Sequence, residues 1–267
     1  MLTTSDTLPP IPARMSAVAE SEMSARTIRL EIAIVLAISF GMSAFSAILQ
    51  FASAVLMGLS GQRVALNPRR AELSLIDLGL NLVSITRLVA WGALAVYLLW
   101  RSGFRPSSVG LGRWRWRADG LGALGLAALI GLPGLALYVG ARWMGMSVQV
   151  IPASLDDTWW RLPVLVLSAF ANGWAEEVVV IAYLQTRLHQ LGYGTAAAIA
   201  SSALLRGCYH LYQGVSAGVG NLVMGVVFGY VWHRTGRLWP LVVAHGVIDT
   251  VAFVGYALLR DHLGWLH

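Results

Sequence analysis

Between Leu162 and Leu184 the chain is almost entirely apolar, yet Glu176 and Glu177 stand side by side within the run. Two later apolar runs carry ionisable groups as well: Arg206 with His210, then His245 with Asp249. Apolar runs of about 20 residues have the length of a membrane-crossing helix, and in hydrocarbon only helices or closed barrels satisfy the backbone. A charge at the centre of a bilayer costs about 2.5–3.5 kcal/mol on insertion scales. Several such groups on three neighbouring spans therefore need partners or a purpose.

The rest of the composition agrees with a membrane bundle. The chain is 57% hydrophobic and only 12% charged, about half the charge of a soluble domain. The expected fold is an all-α polytopic transmembrane helical bundle of seven to eight spans. The seven placed are Leu30–Leu59, Leu73–Trp100, Gly120–Ala141, Leu162–Gln185, Gly194–Tyr212, Ala217–Trp232 and Leu238–Leu259. Residues 1–29 are polar with three prolines and read as a disordered cytoplasmic tail. Residues 30–267 read as a single transmembrane domain with its catalytic core at 162–259.

All 19 basic residues are Arg, and most lie in connecting loops. With no clustered basic stripe, that charge reads as topogenic, and nucleic acid is not an expected partner. Alternate loops hold eleven Arg against six, which favours a cytoplasmic N-terminus in an integral membrane protein. A bacterial cytoplasmic membrane is the expected setting. The lone Cys208 excludes an intrachain disulfide and reads as a packing residue. Trp159 and Trp160, next to Asp156 and Asp157, read as an interfacial anchor at the entry to a span.

Successive helical residues point about 100° apart, so Glu176 and Glu177 cannot both face one small site squarely. One carboxylate is left for chemistry and the other to organise its neighbours. By themselves the two fit an enzyme and a proton-relay transporter equally. His245 and Asp249 are four apart and share a helix face; the spacing suits two ligands of one metal, two contacts to one substrate oxygen, or a buried hydrogen bond. His210 carries the same ambiguity.

Taken together the set has the right types for activating water. It offers a divalent ion such as Zn the ligands Glu176, His210, His245 and Asp249, or works without metal through a glutamate base. Asn172, one turn before Glu176, is placed to orient its carboxylate, and Asn221 to approach the cavity. Asp77 and Arg87 read as structural partners for other helices. Tyr209, Tyr212 and Gln213 read as substrate contacts or as interfacial residues at a span end.

Three motifs stand in order: Glu176-Glu177-Val-Val-Val-Ile-Ala-Tyr-Leu-Gln, then Ser-Ala-Leu-Leu-Arg-Gly-Cys-Tyr-His210, then Trp-Pro-Leu-Val-Val-Ala-His245-Gly-Val-Ile-Asp249. Together they resemble the CPBP family of intramembrane proteases, which includes CAAX prenyl proteases and the bacterial Abi and immunity proteins. The resemblance covers about Phe170 to Val254. It implies that Glu176 activates water, that Glu177 supports it, and that His210, His245 and Asp249 complete the site. The implied reaction is hydrolysis of a peptide bond near the membrane surface in a hydrophobic or membrane-associated peptide or protein substrate, prenylated or not.

Two positions depart from the family pattern. The Arg that usually follows the glutamate pair is replaced by Ile181, and the Phe four residues before the second-motif histidine is replaced by Arg206. A charge lost from one span and gained on the next suggests an exchange in which Arg206 pairs with Glu177. Asp249 stands where the family carries Asn or Asp. An ionised Asp would repel an oxyanion but suits a divalent ion, and both mechanisms stay open. The reading is therefore an intramembrane endopeptidase. A non-catalytic membrane scaffold or bacteriocin-immunity protein is the alternative, and a proton-coupled transporter a second one.

Overall fold

The computed structural model describes residues 23–259. Residues 1–22 of the expected tail thus lie outside the described residues. Helix α1 (Ala25–Ile38) begins upstream of Leu30, its first turn capped by Ser24, whose hydroxyl accepts from the Thr27 amide at 3.1 Å.

The span expected over Leu30–Leu59 is two helices. The chain breaks at Ser39, whose backbone leaves the helical region, and resumes as α2 (Phe40–Met57). The buried Ser39 hydroxyl donates to the Val35 carbonyl one turn back, the kind of local bond that competes with the helical ladder and bends helices.

The bundle continues with α3 (Ser74–Arg101), α4 (Leu121–Trp143), α5 (Arg161–Glu176), α6 (Leu184–Gln190), α7 (Thr195–His210), α8 (Val215–Thr235) and α9 (Trp239–Leu259). A π-helical turn, Trp116–Gly120, leads into α4, and a longer π-helical segment, Glu177–Tyr183, fuses α5 to α6. Two three-residue strands, β1 (Arg63–Ala65) and β2 (Gln149–Ile151), pair in parallel with Val64 opposite Val150. The all-α bundle is as expected.

Among the described residues six helical stretches are long and apolar enough to cross a membrane: Phe40–Met57, Ser74–Arg101, Trp116–Trp143, Arg161–Gln190, Val215–Thr235 and Trp239–Leu258. The chain is an integral membrane protein. Helix α7, expected as a span of its own, has 16 residues and is about 24 Å long, short of the ~30 Å hydrocarbon layer.

Without a hydrophobic drive between helices in lipid, close packing of small residues brings spans together. The glycines do this where the polar residues meet. A Cβ at Gly173 on α5 would lie 2.7 Å from the Val242 carbonyl oxygen of α9, and one at Gly246 would lie 2.7 Å from the Phe170 ring. On the other flank, a Cβ at Gly225 of α8 would lie 2.7 Å from the Cα of Ala203 on α7. Helices α5 and α9 are thereby drawn together on one side of the site, and α7 and α8 on the other.

Polar contacts gather the loops at both ends of the bundle. At one end Arg187 reaches Glu31 of α1, the Leu98 carbonyl and the Ser102 hydroxyl, while Arg237 grips Asp119. At the other, Ser147 meets Ser216 and Arg142 reaches the Ser60 carbonyl.

Three side chains sit differently from the sequence expectation. Trp159 is exposed and fits the interfacial anchor, but Trp160 is buried, with its indole N–H donating to the Ser74 hydroxyl at 3.1 Å. Asp77 pairs with no distant helix charge; it accepts from the Arg70 amide and the Asn81 side chain, closing the turn into its own helix. Arg87 lies over the ring of Trp91, one turn along the same helix.

Candidate active site

Glu176 closes α5 and Glu177 opens the π-helical segment. Val178, Val179, Val180 and Ile181 follow without a break. Four consecutive β-branched side chains crowd an α-helical turn, and here the helix widens for seven residues. Such segments are rare and recur at functional sites. The glutamates sit about 22 Å along the helix from Arg161, well inside the span.

Their environments differ. Glu177 is fully buried, whereas Glu176 keeps 7% of its surface exposed. Glu177 Oε1 accepts from Arg206 Nη2 at 2.6 Å and lies 2.7 Å from His245 Nδ1. Among the described residues its other oxygen has no hydrogen-bond partner. Glu176 Oε2 accepts from the Tyr209 hydroxyl at 2.6 Å, with Arg206 Nη1 3.9 Å away. Arg206 is itself sealed, its guanidinium above the Phe228 ring. The pairing of Arg206 with Glu177 expected from the two departures is present. A buried ion pair is stable only when further hydrogen bonds serve it, and His245 provides one.

His245 joins the glutamates to the last helix. Nδ1 lies against Glu177 and Nε2 is 3.7 Å from Asp249 Oδ2, so the ring is fixed between two carboxylates from different helices. Asn172 Nδ2 donates to Asp249 at 3.3 Å. It thus orients Asp249 across the α5–α9 contact and not Glu176 one turn along, because Gly173 and Gly246 bring the two backbones so close.

Six of the residues singled out in the sequence meet in this network: Glu176, Glu177, Arg206, His245, Asp249 and Asn172. His210 is placed otherwise. Its Nδ1 lies 3.4 Å from the Arg206 carbonyl of its own helix, and its ring packs beside Tyr209. Asn221 donates to the Ala217 carbonyl, also on its own helix.

Sequence reasoning underrated Tyr209. It is a buried donor to Glu176 and no interfacial residue. The available signal was its spacing: three residues after Arg206, it shares the face that carries the guanidinium. Phe40, the first residue after the break in the first expected span, carries no sequence signal for its place here. Its ring packs at 4.9 Å from that of Tyr209 and at 5.4 Å from Trp91, walling that side of the network.

Glu176, His210, His245 and Asp249 do not form a ligand set. Among the described residues no group of three or more His, Cys, Asp or Glu side chains is arranged to hold a metal ion. Arg206 sets a fixed positive charge beside the one glutamate of that set, with Nη1 3.9 Å from Glu176 Oε2. The residues as arranged do not fit a metal.

The comparisons bear on this same region. Residues 158–251 match the family of Rce1-like type II CAAX prenyl endopeptidases. The resemblance read from the three motifs is borne out. The matched stretch begins at the entry to α5 and ends inside α9, so it takes in every residue of the network, while Phe40 and Trp91 of its wall lie outside it. No curated protein and no solved structure matches the chain.

Proposed function

We propose that the protein is an intramembrane endopeptidase of the CAAX-protease type, with Glu176 as the general base. The observation that carries this reading is the inequality of the two glutamates. Glu177 is sealed and spends one oxygen on Arg206 and His245, while Glu176 keeps an accessible edge and is held by a single hydroxyl. A base must reach its water, and of the two glutamates Glu176 is the one that keeps exposed surface.

In this mechanism Glu176 takes a proton from water as the oxygen attacks the scissile carbonyl carbon. The Tyr209 hydroxyl fixes the carboxylate during attack. Charge developing on the carbonyl oxygen needs preorganised donors in a water-poor site, and that role is assigned to His245 Nε2 and Asn172 Nδ2, which both stand beside Asp249. Asp249 holds both of them in place. Collapse of the tetrahedral intermediate breaks the C–N bond, and Glu176 returns its proton to the leaving amine. Glu177 and Arg206 neutralise one another and hold His245. His210 belongs to the wall and takes no proton in this scheme.

The substrate class that goes with this site is a hydrophobic or membrane-associated peptide, and the setting a bacterial cytoplasmic membrane with a cytoplasmic N-terminus. The test compares purified wild type with Glu176→Gln and His245→Ala in proteoliposomes against a panel of membrane peptides, with elemental analysis alongside. Cleavage without stoichiometric metal that disappears in Glu176→Gln supports the glutamate route. Stoichiometric Zn lost with activity in His245→Ala would overturn the metal-free scheme. A folded wild type that cleaves nothing would favour the scaffold reading.

A further inference from the structure

The loop between α3 and α4 carries Arg113-Trp114-Arg115-Trp116-Arg117, a strict alternation of cation and indole. All five side chains are exposed. Arg101 closes α3 and Arg105 follows it in the connection, both exposed, so the charge read as topogenic is concentrated on one stretch.

That stretch is held firmly. Asp119, the single acidic residue between Arg101 and Gly120, is fully buried and already neutralised: Arg237 Nε donates to it at 2.6 Å, and the Arg115 backbone amide caps its other oxygen at 2.6 Å. Arg237 also donates to the Arg113 carbonyl. The Trp239 and Trp232 indoles donate to the Gly112 and Val109 carbonyls, and the Leu238 amide to that of Gly110. The backbone is thus tied to the start of α9 while the arginine side chains are left without an acidic neighbour on the loop. Rigid exposed cations interleaved with indoles at the end of a transmembrane bundle combine a headgroup charge partner with rings that favour the interface.

We propose that residues 113–117 form a binding surface for anionic phospholipid headgroups, the guanidinium groups contacting phosphate and the two indoles seated at the level of the glycerol backbone. Each cation near an anionic surface contributes about a fivefold gain in affinity, so three give on the order of 100-fold. The full-length protein in detergent, titrated with phosphatidylglycerol or with phosphatidylcholine of the same acyl chains, is read by native mass spectrometry.

Wild type is expected to retain phosphatidylglycerol preferentially. The triple variant R113Q/R115Q/R117Q is expected to lose the preference, and R113K/R115K/R117K to keep most of it. Only side-chain charge is changed, since the Arg115 and Arg113 contacts to Asp119 and Arg237 are made by the backbone. Raising salt to about 0.5 M should erase the preference in the wild type as well, which tests the idea even if the glutamine variant folds poorly. Equal retention of the two lipids by wild type, or an undiminished preference in the glutamine variant, overturns the proposal. Displacement by millimolar inorganic phosphate would also overturn it, by assigning the loop to a free anion.

Discussion

The outer helices and the α5–α6 helix are built from similar apolar residues but answer to different solvents. In the Arg161–Gln190 stretch 72% of the most apolar window is buried within the protein, against 17% for Phe40–Met57, Ser74–Arg101 and Trp116–Trp143. The outer spans turn their large side chains, such as Leu82, Val83, Leu129 and Leu132, outward. The central helix turns Glu176 and Glu177 inward, where Arg206, Tyr209 and His245 wait. In lipid the apolar effect does not choose which helix goes to the middle, because hydrocarbon is as good a solvent for leucine as the protein interior. The choice falls to small residues that permit close approach and to polar groups that must find one another.

That contrast can be broken most severely at the base. Glu176→Gln should lower peptidase turnover by about 10²–10⁴-fold while leaving the thermal unfolding midpoint within a few degrees of wild type. A variant that retains turnover would remove Glu176 from the mechanism.

Next in size is the buried pair. Arg206→Met takes away the guanidinium paired with buried Glu177, leaving it His245, and should destabilise the protein by about 3–5 kcal/mol, seen as an earlier unfolding transition in micelles. The double replacement I181R/R206F, which restores the family's usual arrangement, should recover much of that loss. If Arg206→Met alone unfolds at the wild-type midpoint, the exchange of arginines carries no energetic weight.

Tyr209→Phe removes one hydrogen bond to a charged group, a change of about 1.5–3 kcal/mol. It should appear mainly in kcat, since the phenyl ring keeps its packing against Phe40. A rise in KM with unchanged kcat would instead make Tyr209 a substrate contact.

The smallest effects compare glycines directly. Gly173→Ala puts a methyl group against the Val242 carbonyl and should cost about 1–3 kcal/mol. Gly125→Ala on α4, where a Cβ meets nothing within 4 Å, should be neutral or stabilising by up to ~1 kcal/mol. Equal effects at the two sites, measured side by side by thermal unfolding, would mean that the α5–α9 approach is not a tight one.

Much of this molecule was legible in order along the chain. Apolar runs gave the bundle, and ionisable groups within them gave Glu176, Glu177, Arg206, His245 and Asp249, because each is too costly in lipid to be incidental. The first span was misplaced because a serine back-bond at Ser39 is invisible to hydropathy: serine is mild enough to sit in an apolar run without interrupting it. Asn172 was recognised but aimed at the wrong partner, since one-turn spacing on its own helix was weighed without knowing how near α9 comes. Tyr209 was set among interfacial residues because position at a span end is a statistical cue, whereas its partner is set by the packing of α7 against α5.

By itself, then, the sequence determined the class of solvent, the kind of fold and the chemical types that must converge, since these follow from transfer free energies and helical periodicity. Only the tertiary structure decided which glutamate is sealed, that Arg206 lies beside both carboxylates, and that His210 Nδ1 faces the Arg206 carbonyl of its own helix. Those outcomes depend on ångström-scale approach between helices far apart in the chain, and local periodicity holds no record of it.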